Sequence, residues 1–360
     1  MEEKHIVIID WSMICQGRLY SLLSGAEPLT RASDIEEVKY RMAKDVFKIL
    51  DKLKPTNVIL AKDYKINGVR QYWREEYLAD YHMKNTELYK SESTGESYYR
   101  YDNVIYPCLS LEGDVAILGK KLTKKNTPKD LELVEDWDRE VIKSFAPQYK
   151  GNRSNTDWVF MTPKSEFTKL FDQVAIDLTN IIPNCKILEA EGAEADDIAG
   201  VLTRKAPNIP HTLVTGDGDW NQLAENPNVD IMHHINFELL ETNAEDVKFD
   251  LRVKCVAGDS GDNIKGTYVE GQSGCLGAVK ALKIVSEGKE DTLYEPSFKR
   301  NKKLIVLDLD TIPITIQNNI LTDLKESKPS NEECSWEKLG LNQREQQILT
   351  QTGNIFTQKY

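Results

Sequence analysis

The sequence predicts a mixed α/β fold, with a mostly parallel central sheet and helices on both faces. Three observations carry that expectation. Short apolar runs, HIVIID at 5–10 and NVILAKD at 57–63 among them, have the length and β-branched content of buried strands. Between these two lies IEEVKYRMAKDVFKILDKL at 35–53, with apolar residues at helical spacing. Strand, helix and strand in that order is the way parallel strands are joined.

The elements follow in order. HIVIID is the first strand, 35–53 the first clear helix and NVILAKD the second strand. The pattern then breaks, and residues 64–155 read as polar, Tyr-rich and irregular, with YKSESTGESYYRYDN and GKKLTKKNTPKD as exposed segments. Alternation resumes near residue 156: a helix at about 164–180, strand CKILEA, helix EADDIAGVLTRKA, strand HTLVTGDGD, a helical turn WNQLAE and strand VDIMHH. From 250 the pattern is mostly helical, with a glycine-rich passage at 258–277 and no internal repeat.

Bulk properties narrow the classes. The chain has 360 residues, 40% hydrophobic and 29% charged, in the range of globular proteins with a real core. Its longest apolar runs are strand-sized, too short to span a bilayer, and MEEKHIVIIDWS lacks the apolar stretch of a signal peptide; a cytoplasmic setting is expected. Six cysteines stand at 15, 108, 185, 255, 275 and 334 without a CxxC pair or a His at ligand spacing, which disfavours zinc and fits reduced thiols. The formal net charge of −12 speaks against nucleic acid, unless many acids share one cation site.

The acids are placed in a pattern. Asp10 ends the first strand and Asp63 the second; Glu194, Asp196 and Asp197 follow the strand near 186–189; Asp217 and Asp219 follow the strand at 212–215. In open parallel sheets, ligands bind beyond the carboxyl ends of the strands. A single Asp after a strand is ordinarily a helix cap, but seven acids at four strand ends exceed that role. Asp259 and Asp262 in AGDSGDNIKG bring the set to nine, in a loop that lacks the downstream Glu of an EF-hand. Clustered carboxylates without His or Cys call for hard cations such as Mg²⁺. Two such ions roughly 4 Å apart can activate a water and stabilise a leaving oxygen at a phosphodiester.

The ordered series IIDWS, ILAKD, EGAEADD, TGDGDW and AGDSGDNIKG resembles the 5′-nuclease superfamily of flap endonucleases and polymerase-associated 5′-exonucleases, which includes the ribonucleases H of T-even-type phages. The resemblance covers residues 5–63 and about 137–325, and the combination in order is what is specific. It implies an α/β nuclease core at 1–250, including a helical arch region with an insertion at about 64–155, and a mostly helical DNA-binding region at 251–360 with a helix–three-turn–helix for duplex. It implies metal-dependent 5′ to 3′ hydrolysis near 5′ ends of RNA primers on DNA, nicked duplexes and 5′ flaps in replication, with two Mg²⁺ ions or Mn²⁺ in their place. By position, Asp10, Asp63, Glu194, Asp196 and Asp217 resemble first-metal ligands or water-mediated partners. Asp219, Asp259 and Asp262 resemble the second group, and Asp197 supports either. Which acids ligate directly stays open.

For nucleic acid, the resemblance points to Gly266, Gly271 and Gly274, where backbone can approach a phosphate, and to Lys280 on the following helix. This passage is longer than the family's usual GVPGIG. Two segments compete for the arch: VRQYWREEYLADYHMKN, with Arg70, Arg74 and Lys84, and DWDREVIKSFAPQYKGNR, with Arg139, Lys150 and Arg153. The roughly fifty residues between them read as the insertion. Implied partners are flapped or nicked duplex DNA and RNA–DNA hybrid, with a single-strand-binding protein and a sliding clamp, the last through QREQQILTQTGNIF. LIVLDLDTIP at 304–313 imitates a phosphatase nucleophile motif, but too few residues follow it, and Asp308 and Asp310 are expected to be structural. Two other readings use the same acids: a non-catalytic structure-specific DNA-binding protein, and a PIN-type ribonuclease.

Overall fold

A computed structural model of the chain describes residues 4–23, 32–66, 69–123, 125–152, 158–159, 162–269, 272 and 274–327. The chain forms two compact units: Met1–Tyr72 with Asn155–Lys248 and Leu307–Tyr360, and Trp73–Ser154 with Phe249–Val306.

The first unit is built on a five-stranded, all-parallel sheet in the order Cys185–Leu188, Asn57–Ala61, Ile6–Asp10, His211–Thr215, Val229–His233. Ile6–Asp10 is the central strand, so its end lies where flanking strands also end. Helix Ala32–Leu53 buries Val38, Met42, Val46, Ile49 and Leu50, one face at helical spacing, in a core with Val7 and Ile9. Helix Lys164–Ile181 adds Val174, Ala175 and Leu178 to that core. Ile8 alternates to the opposite face and is equally buried, as is helix Ala195–Lys205 through Ile198, Ala199 and Val201. The mixed α/β class expected from the sequence is the one observed.

In the second unit, helix Trp73–Asn85 is followed by five antiparallel strands in the order Val115–Leu118, Val104–Glu112, Ser97–Tyr101, Glu87–Ser91, Leu131–Val134. The stretch read as irregular therefore holds a helix and a five-stranded sheet. The alternation was legible only in hindsight: Tyr99, Leu88, Cys108 and Ala116 point to one small core with Val141, Trp137 and Phe145, while exposed apolar residues between them, Leu109, Val115 and Ile117, blur the period. The unit also holds the end of helix Ala244–Ala257 and helices Ala278–Ser286 and Glu295–Ile305. Among the described residues no helix is long and apolar enough to cross a membrane.

Candidate active site

Asp10 is the last residue of the central strand. Its buried carboxylate accepts the Met13 N–H at 3.1 Å and the Thr215 hydroxyl at 3.1 Å. Burial, then the Asp63 carboxylate, pushes its carboxyl up to about 7; Asp217 adds to the push, and the two hydrogen bonds oppose it. Asp63 follows the neighbouring strand, and its Oδ1 accepts the Ala195 N–H at 3.1 Å. That contact sets it at the N-terminus of helix Ala195–Lys205, where free N–H groups and the helix dipole favour negative charge.

The same helix start carries three further acids. Glu194 is its N-cap, and Asp197 accepts the Glu194 N–H at 3.0 Å, closing a capping box. Asp197 is fully buried, and the cap fixes one of its carboxylate oxygens. Asp196 accepts the indole N–H of the buried Trp220 at 2.6 Å. Asp217 caps the 3₁₀ helix Gly218–Glu225, accepting from the Asp219 N–H at 2.9 Å, while its own N–H donates to Thr215 Oγ1 at 3.0 Å. Thr215 thus bridges Asp10 to Asp217, Ala195 links Asp63 to Glu194, and Trp220 links Asp196 to the Asp217–Asp219 turn. Six acids at four strand ends, Asp10, Asp63, Glu194, Asp196, Asp217 and Asp219, are connected along one edge of the sheet. Gly216 lets the chain pass: a side chain there would run into the His234 imidazole.

Thr215 and Trp220 were not singled out from sequence. Their signal was adjacency alone, one residue before and one after the GDGD run. The donor set along this edge is all carboxylate oxygen, and crowding already raises the proton affinity of Asp10. Both features suit a hard divalent cation, which would relieve the repulsion.

In the second unit, Asp259 and Asp262 sit in the loop after helix Ala244–Ala257. Burial raises the Asp259 carboxyl, but Lys254 at 2.7 Å and the Gly261 and Asp262 N–H groups outweigh it and hold the group below its usual range. Asp262 accepts the Tyr149 hydroxyl at 2.9 Å, with the Lys150 ammonium at 3.7 Å. Lys150 is thereby engaged with an acid and stacked against the Tyr149 ring.

The remaining basic residues divide. Arg74, expected to meet phosphate, is buried, donates from Nε to the Leu304 carbonyl at 2.9 Å and lies over the Trp73 ring; the structure gives it a packing role. Arg139 donates to the carbonyls of Met83 and Thr86, which ties down its guanidinium. Lys84 is exposed beside Asp80, and Lys280 is exposed on helix Ala278–Ser286. Gly266 is packed against the Ala257 and Leu276 carbonyls, too close for any side chain, and Gly274 has φ +89° in open space. The Arg70 side chain, Arg153, Gly271 and the 343–356 segment lie outside the described residues. Asp308 forms a turn with Thr311 and Ile312 and faces Arg204 at 3.5 Å, a structural use.

Residues 108–251 match the family described as the 5′-3′ exonuclease N-terminal resolvase-like domain. The chain is 26% identical over 200 residues to the ribonuclease H of Enterobacteria phage T4, covering 50% of this chain and 63% of that protein. It is 26% identical over 182 residues to the flap endonuclease of Escherichia phage T5, covering 47% of this chain and 59% of that protein. The matched lengths are thus about six-tenths of both curated relatives. The T5 D15 protein co-crystallised with metal ions shares the fold, with TM-score 0.50 and 14% identity over 90% of this chain and 99% of that one. The resemblance carried by the ordered acid motifs is thus borne out: the matched domain family is a 5′-3′ exonuclease family by description, both phage relatives are nucleases by description, and the fold is that of the T5 protein.

Proposed function

We propose that this protein is a divalent-metal-dependent 5′ nuclease that hydrolyses phosphodiesters near 5′ ends of flaps, nicked duplexes and RNA primers on DNA. The observation that carries the reading is the line of six carboxylates at four strand ends, with Asp10 buried at its centre. A binding protein has no use for such mutual repulsion. Asp10, Asp63, Glu194, Asp196 and Asp217 would hold a cation there, Mg²⁺ or Mn²⁺ by donor chemistry. Asp219, Asp259 and Asp262 serve the same reaction, as the sequence order suggests. When bound, divalent ions supply a Lewis acid for the attacking water and the leaving 3′ oxygen.

The chain's own residues supply positioning. Thr215 fixes Asp10 and Asp217 in one hydrogen-bonded unit. Trp220 orients Asp196, and the Asp197 cap holds Glu194. Exposed Lys84 and Lys280 supply charge for phosphates, which an overall acidic chain must localise.

The test is cleavage of a 5′-labelled DNA flap, a nicked duplex and an RNA primer on DNA, in Mg²⁺ and in EDTA, beside Asp217→Asn. The expected result is metal-dependent release of short 5′ products, reduced on the order of 10³-fold in the variant with duplex affinity kept. Folded wild-type protein that binds the flap but never cleaves would move the assignment to a non-catalytic binder. Cleavage of single-stranded RNA in preference to all three substrates would move it to a PIN-type ribonuclease.

A further inference from the structure

The hairpin between strands Ser97–Tyr101 and Val104–Glu112 turns on two residues, Asp102 and Asn103. Both have left-handed backbone, φ 47° and 58°, the form a tight two-residue turn demands and one that Asp and Asn tolerate. This turn sits in the inserted sheet, yet its side chains engage the glycine-rich passage after AGDSGDN. The buried Asp102 carboxylate faces Arg300 Nη1 at 3.3 Å and Lys265 Nζ at 3.2 Å. Arg300, itself buried, donates from Nη2 to the Lys265 carbonyl at 2.6 Å, and Asn301 Nδ2 donates to the same carbonyl at 3.0 Å. Asn103 Nδ2 donates to the Gln272 carbonyl further along the passage. The Lys265 ammonium also lies 4.8 Å from the centre of the Tyr101 ring.

A buried ion pair contributes little net stability compared with well-packed apolar residues. These groups aim at backbone carbonyls of a passage that contains Gly266 and Gly274, where the chain has the fewest conformational preferences of its own. Their directional bonds fix the backbone of that passage at Lys265 and Gln272. We infer that the Asp102–Asn103 turn, acting through Arg300 and Lys265, is a positioning element that sets the glycine-rich passage in its duplex-binding shape, so that the inserted sheet tunes substrate affinity. This rests on the nuclease reading above and on the phosphate-approaching role that the resemblance gives that passage.

The test uses the full chain and two variants. Asp102→Asn keeps the turn and one acceptor for Arg300 but removes the charge shared with Lys265. Asn103→Gly keeps the left-handed turn and drops the Gln272 contact together with the exposed hydrogen bond from Arg100 Nη2, with no buried charge disturbed. Affinity for a nicked duplex is read by fluorescence anisotropy in EDTA, KM and kcat in Mg²⁺, and folding by thermal melting. Expected are a Kd and KM raised about tenfold in Asp102→Asn and about threefold in Asn103→Gly, with kcat at saturating substrate within about twofold. Folded variants with wild-type Kd and KM would overturn the inference while leaving the nuclease standing. So would a loss of kcat and melting temperature without a change in Kd, the mark of a merely structural role. If Asp102→Asn does not fold, Asn103→Gly decides alone. Wild-type protein that neither binds nor cleaves duplex would instead remove the nuclease reading itself.

Discussion

Asp10 concentrates the physics of the site at the scale of one residue. Burial and the neighbouring Asp63 raise its carboxyl to about 7, so the folded protein binds that proton more tightly than the unfolded chain does. The stability this proton contributes is complete below about pH 4 and is lost as pH rises toward 7. In EDTA, this group alone should lower stability by roughly 4 kcal/mol across that window, an upper figure since other groups titrate too. Asp10→Asn should flatten that fall and melt higher than wild type in EDTA at pH 8. Added Mg²⁺ should raise the wild-type melting temperature and leave the variant nearly unmoved. Equal pH profiles for the two proteins would show that Asp10 is not the strained member. The position of Asp10 at a strand end was legible in the sequence. Its strain was not, because Asp63, Thr215 and Asp217 reach it from segments far along the chain.

At the scale of elements, the start of helix Ala195–Lys205 separates two kinds of acid. Asp197 is committed to the capping box, while Asp196 is held by Trp220 and Asp63 by the Ala195 N–H. Asp197→Ala should therefore cost about 1–2 kcal/mol of stability in EDTA, read by denaturant unfolding, and should lower turnover only through the displaced helix start. Asp217→Asn should show the reverse split, with turnover lost and stability kept. A stability loss in Asp217→Asn as large as that in Asp197→Ala would contradict the division. The sequence set Glu194 and Asp196 among the first-metal positions and left Asp197 as support for either group, since helical spacing says where a side chain begins and not which donor it meets. The same limit applies to Arg74. It stands in a basic, aromatic stretch that reads as a strand-threading surface, yet its Nε partner, Leu304, is 230 residues away. The inserted sheet was missed for a related reason: its apolar face is narrow, and Tyr residues serve on both faces, so alternation in the sequence is weak.

For the whole molecule, charge decides how substrate is met. A formal charge of −12 repels nucleic acid at long range, so under the proposed function binding would be carried by a few exposed cations close to phosphate. Affinity for a nicked duplex should fall steeply with salt, and Lys280→Ala should reduce the slope of log Kd against log salt by about 1. An unchanged slope would place Lys280 outside the interface. Lys150 offers the contrast: its ammonium already has Asp262 as a partner, so its loss should disturb that loop more than the salt slope.

The sequence by itself determined the class of fold, the order of strands and helices around residues 164–234 and, except for helix Trp11–Leu23, around 5–63, and the delivery of acids to strand ends, because these depend on local periodicity and on adjacency in the chain. Its ordered motifs were enough to carry the resemblance to the superfamily. Only the tertiary structure decided which carboxylate is buried and strained, which is spent on a cap, which arginine is lost to packing, and that a polar stretch folds into a sheet whose turn grips the glycine-rich passage. Those outcomes depend on burial and on partners brought from distant segments, and no local pattern of residues encodes the distance between them.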